Sequence, residues 1–149
     1  MPHRFSGYGS AAVGTDKTVL ALLSGTTVRP CLYEFTLGSS SSPADVATLF
    51  LLGRFTAVGT EGSGFTPVPL DSADAPAAAD YAVAHSGPPT YTASAHLWGC
   101  SLNQRATFRW VANPGGEHIA PATANNGIGL YSSSSGATPT YQCSMYHFE

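Results

Sequence analysis

From residue 18 onward the chain is cut into short runs in which apolar positions recur at every second residue, and turn residues separate the runs. Residues 18–23 form the first run, closed by Ser24-Gly25. In residues 28–37, Cys31, Tyr33, Phe35 and Leu37 fall on one face and Leu32, Glu34 and Thr36 on the other, an alternation a strand can use and a helix cannot. Residues 49–58 set Leu49, Leu51, Gly53 and Phe55 against Phe50, Leu52, Arg54 and Thr56, so both faces are partly apolar and the strand is expected to be central. Residues 90–100 put Tyr91, Ala93, Ala95 and Leu97 opposite Thr92, Ser94, His96 and Trp98. Strands are also expected over residues 105–111, 128–131 and 140–148. The connections between them are a polar loop at 39–43, the turn Asn113-Pro114-Gly115-Gly116 and a polar loop at 132–139.

Three segments break the alternation. Residues 1–16 are rich in glycine and small side chains, with Phe5 and Tyr8 as isolated aromatics, and read as an arm that inserts these two rings into a neighbouring surface. Residues 59–69 carry Gly59, Gly62, Gly64, Pro67 and Pro69 and read as loop, anchored by Phe65. Around residues 74–82, Asp74 as N-cap, Pro76 in the first turn and the alanines after it predict one short helix. The expected architecture is all-β: an antiparallel β-sandwich of jelly-roll type over residues 17–149, with that helical insertion and the N-terminal arm at 1–16.

Charge changes this picture more than hydropathy does. Charged residues make up only 10% of the chain, against roughly 25% in an ordinary soluble domain. Gly, Ala, Ser, Thr and Pro fill the gap, which suits a surface that meets other protein surfaces. With 149 residues the chain is long enough for one core and too short for two comfortable ones. The longest apolar stretch, residues 46–52, is too short to span a bilayer, and the N-terminal residues lack the apolar segment of a signal peptide, so synthesis and folding are expected in the cytoplasm with no membrane partner. A net charge of −3 with a single lysine, Lys17, argues against nucleic acid. Cys31, Cys100 and Cys143 are odd in number, lack C-x-x-C spacing and read as buried free thiols.

Candidate chemistry is sparse. The five histidines, His3, His85, His96, His118 and His147, show no ligand spacing, so no metal and no cofactor is expected. No G-x-S-x-G elbow or glycine-framed cysteine offers a nucleophile. Asp71, Asp74 and Asp80 are interrupted by alanines and Pro76 in a way no calcium loop tolerates. Carboxylates are too few and too scattered for a glycosidase pair, and no enzymatic activity is expected. Trp98, Trp110, Tyr131 or Tyr141 offers a sugar-binding platform as an alternative, against the ordinary role of such rings in a core or subunit interface.

The run from Gln104 to Trp110 is the most distinctive. On a strand, Arg105, Thr107 and Arg109 share one face while Ala106, Phe108 and Trp110 share the other. Two guanidiniums projecting together can hold a carboxylate or carbonyl of a neighbouring subunit by forked hydrogen bonds; Glu34 and Glu117 are the candidate carboxylates. His96 and Trp98 join Arg105, Arg109, Phe5 and Tyr8 as candidate interface residues.

At this run, at Pro121-Ala122-Thr123-Ala124-Asn125-Asn126-Gly127-Ile128-Gly129, and at Leu32-Tyr33-Glu34-Phe35, Gly53-Arg54-Phe55-Thr56 and Gly59-Thr60-Glu61-Gly62, the chain resembles capsid decoration, or cement, proteins of tailed bacteriophages. The resemblance covers about residues 18–130. It implies a β-sandwich or jelly-roll virion subunit, as a homotrimer, on the outer face of the capsid shell where major capsid protein subunits meet. Such a protein acts by binding the assembled lattice and not the free subunit. A tail or head-fibre subunit and a carbohydrate-binding module are the alternatives.

Overall fold

The alternation is realised as two antiparallel sheets whose apolar faces pack together. The computed structural model describes residues 2–12, 17–134 and 139–149, the side chain of Ser134 excepted. Its strands are β1 (Arg4–Ala12), β2 (Lys17–Leu23), β3 (Cys31–Ser41), β4 (Ala47–Phe55), β5 (Ser63–Phe65), β6 (Val68–Pro69), β7 (Asp80–Val83), β8 (Tyr91–Asn103), β9 (Phe108–Val111), β10 (His118–Ile119), β11 (Gly127–Ser134) and β12 (Thr140–Phe148). One sheet runs β10-β3-β12-β1-β6, with β9 also on β3; the other runs β5-β7-β2-β11-β4-β8.

The long strands follow a simple scheme. The chain goes out through β1, β2, β3 and β4 and returns through β8, β9, β11 and β12, pairing β4 with β8, β3 with β9, β2 with β11 and β1 with β12. Between the sheets lie Leu20, Leu22, Phe50, Leu52, Ile128 and Leu130 from one side and Leu32, Phe35, Leu37, Cys143 and Met145 from the other. At roughly 1.5–3 kcal/mol for each large side chain buried, this layer is the main favourable term holding the sheets together.

Residues 4–12 are not an arm. They form β1, which lies between β12 and β6, and Phe5, Gly7, Gly9 and Ala11 on its inward face are all buried. The glycines belong there because the opposite sheet comes close: a Cβ on Gly7 would land on the Tyr81 ring, and one on Gly9 would meet Val83 and Leu20. Composition read as flexibility is in fact the mark of a close approach. Residues 13–16 of the expected arm lie outside the described residues.

No helix forms at residues 74–82. The Asp71 side chain accepts from Ala73 N (3.0 Å) and its carbonyl from Asp74 N (3.0 Å), making a turn. The amides of Ala78 and Ala79 donate to the Glu149 carboxylate at 3.0 and 2.8 Å, and residues 80–83 become β7, paired with β2. A tertiary partner for the amides, with Tyr81 and Ala82 fully buried, overrides alanine's helix propensity. The thiols also differ from expectation: Cys143 is buried, whereas Cys31 and Cys100 are half-buried.

Register slips in β3 and β8 shift the phase of the alternation. The β3–β12 register slips between Tyr146 and His147, so Leu32 and Phe35, three apart, both point into the core and Tyr33 points out. In β8 the register on β4 slips on both sides of Gly53, and Ser94 takes φ 57°. His96 consequently pairs with Gly53 on the outer face, whereas Trp98 pairs with Leu52 on the core side.

Candidate interaction surfaces

β8 and β9 are the outer strands of the two sheets along one flank of the sandwich. There Trp98 meets Phe35 edge-on (ring centroids 5.2 Å apart) and Phe108 (4.9 Å), and Trp110 lies between Phe35 (5.5 Å) and the His118 ring (4.7 Å, planes 4° apart). These rings plug the gap between the sheet edges, and Trp98, Phe108 and Trp110 remain half-buried. Val111, on the same flank, is half exposed. β8 carries no Lys, Arg, Asp, Glu or Pro along its thirteen residues, the devices that ordinarily guard an open edge.

The expected pair of arginines is not assembled on one strand. β9 begins only at Phe108, and Arg105 sits in the preceding turn, where its amide donates to Asn103 Oδ1 (2.9 Å). Gln104, fully buried, makes that turn: its amide group donates to Thr48 Oγ1 (3.1 Å) and accepts from Ala44 N (2.9 Å). Arg109 does lie on β9, and its Nε donates to Glu34 Oε1 at 2.7 Å within the same chain. Of the two candidate carboxylates, Glu34 is the partner, and the hydrogen bond holds the guanidinium more firmly charged.

The other candidates divide. Phe5 is 2% exposed and stacks on His147 (5.4 Å), so it is a core residue and not an interface anchor. Tyr8 is 54% exposed on the outer face of β1. His96 is exposed, its Nδ1 3.3 Å from Tyr131 Oη. Of the four rings offered as a sugar platform, Tyr131 and Tyr141 are buried and present no surface, and Trp98 and Trp110 are half-buried. Tyr131 lies under Tyr91, stacked at 4.0 Å, and Tyr91 in turn covers Gly53 and Gly129.

One polar chain escaped the sequence. Tyr81 Oη lies 3.0 Å from His147 Nδ1, and His147 Nε2 lies 3.3 Å from Glu149 Oε1, the carboxylate that caps Ala78 and Ala79. Tyr81 Oη also donates to Met145 O at 3.2 Å. Tyr81 and His147 are wholly buried, so the chain ties the end of β12 to the segment before β7. Burial also pushes the Tyr81 hydroxyl well above its ordinary value. No spacing in the sequence announces Tyr81 beside His147 and Glu149, since 66 residues separate Tyr81 from His147.

Among the described residues, no group of three His, Cys, Asp or Glu comes together to hold a metal ion, and no helix is long and apolar enough to cross a membrane. The fold defines the class of protein as an all-β antiparallel sandwich. Comparison with protein-family models, curated proteins and solved structures finds no match to this chain.

Proposed function

We propose that the chain is a virion structural protein of the decoration type, which binds the outer surface of an assembled phage capsid and cements contacts between major capsid protein subunits. The observation that carries this reading is the flank of β8 and β9: an uncharged thirteen-residue edge strand beside half-buried Trp98, Phe108 and Trp110. An open edge adds a neighbour's strand through main-chain hydrogen bonds, and adjacent aromatics supply contact area at low entropic cost. The low overall charge agrees, since it leaves little electrostatic cost when many copies meet. The strand order supports a jelly-roll reading of the sandwich: an outgoing set of four strands, each paired to its returning partner and rolled into two sheets. Around a three-fold axis, the same flank serves contact between copies as a homotrimer.

Cryo-electron microscopy of virions carrying this protein tests the reading. Density repeated at capsomer junctions, with β8 and β9 turned to a neighbour, is expected. Density only at the tail would make the chain a fibre or tail subunit, and its absence from the particle would end the virion reading.

A further inference from the structure

The outer face of the sheet built on β1, β12, β3 and β9 carries a second surface, which shares β9 with the flank proposed for cementing. Strand register aligns Tyr8, Ser144, Thr36 and Arg109 in one row across four strands. The adjacent row is Ser10, Gln142 and Gly38, with Thr107 beside Gly38. Tyr8 and Arg109 stand three interstrand steps apart, about 14 Å, and the small side chains between them leave an open depression of about 490 Å³. That is the length of a short oligosaccharide.

The chemistry of the lining selects among ligands. Tyr8 offers an exposed ring at one end. Among the described residues, the hydroxyls of Tyr8, Thr36 and Ser144 and the amide of Gln142 make no hydrogen bond to another residue, so the trough presents donors and acceptors together. At the far end Arg109 is offset by Glu34, and their bond occupies one guanidinium nitrogen and one carboxylate oxygen. The pair keeps both kinds of hydrogen-bonding capacity and carries no net charge, which disfavours an anionic ligand. A pyranose has the matching character: an apolar C–H face for an aromatic ring and a rim of hydroxyls that both donate and accept.

We propose that this trough binds a short neutral oligosaccharide, one ring stacked on Tyr8 and the hydroxyls exchanging hydrogen bonds with Gln142, Ser144, Thr36 and Arg109. Binding belongs to the isolated chain and does not depend on a capsid. Its success or failure is therefore separate from that of the cementing reading.

The test is titration of the isotope-labelled full chain with maltotriose, cellotriose and chitotriose, read by amide chemical shifts. At least one should shift residues of the two rows with a dissociation constant on the order of 1 mM. Tyr8→Ala should weaken it at least about tenfold and Tyr8→Phe should not, with far-ultraviolet circular dichroism unchanged in both. No shift with any of the three sugars, shifts elsewhere on the molecule, or equal affinity in Tyr8→Ala would overturn the proposal. So would a response confined to sulfated or carboxylated glycans, or to an extended peptide laid on the same rows.

Discussion

Gly7 and Gly129 do opposite things for the two faces of the sandwich. Gly7 lets β1 approach the Tyr81 ring inside the core, whereas Gly129 and its cross-strand partner Gly53 make the bed on which Tyr91 lies outside it. Filling either space forces packed rings to move, so Gly7→Ala and Gly129→Ala should each cost about 1–3 kcal/mol, measured by chemical denaturation. A cost near zero for Gly7→Ala would mean that Tyr81 is free to give way. Glu149 makes a second prediction at this scale. Burial works to raise its carboxyl, but hydrogen bonds from His147 and from the amides of Ala78 and Ala79 outweigh it and hold the group below the ordinary glutamate range. A carboxyl held lower when folded contributes stability that is complete above its unfolded value and is lost as pH falls through the folded one. The melting temperature should therefore drop on acidification below about pH 4.5, and Glu149→Gln should flatten that drop while lowering stability at neutral pH. An unchanged acid slope in the variant would place the effect elsewhere.

β1 is the element whose role differs most from its composition. Its backbone is hydrogen-bonded to β12 along its whole length, and Phe5 fills the core beside His147. Deleting residues 2–12 should therefore leave a chain that does not fold cooperatively; a soluble product with sharp native-like amide signals would restore the arm. The alternation of residues 49–55 and 140–148 was legible because both strands keep an uninterrupted period of two over the stretch that pairs. Leu32 and His96 were misplaced because a bulge moves phase without changing composition, and nothing at Tyr33 or at residues 92–97 announces one. The helix expected at residues 74–82 fails for another reason: the local preference is real, and the carboxylate that takes the amides of Ala78 and Ala79 comes from Glu149, far along the chain. Of the candidate site, Tyr8 and Arg109 were visible as an isolated aromatic and a cation, but the row that joins them exists only through the register of three strand pairs.

The whole molecule presents two unlike surfaces, a bare flank at β8 and β9 and a polar trough on one outer face, and variants should separate them. Ser101→Lys places charge on the flank without touching the core, on the sheet that does not carry the trough. It should disperse a homotrimer to single chains in sedimentation and reduce capsid attachment, while leaving sugar binding intact. A trimer of undiminished stability would move the subunit contact off this flank. The pairing of first strand with last has another effect, on the order of events at the ribosome. Arg4 pairs with Phe148, and Glu149 N donates to His3 O. The β12-facing edge of β1 consequently waits until residues 140–148 have been made, while its other edge has β6 to pair with earlier. Closure of the sandwich thus comes late and is slow in the manner of chains dominated by distant contacts, and a nascent chain stalled before residue 140 should remain protease-sensitive over residues 4–12.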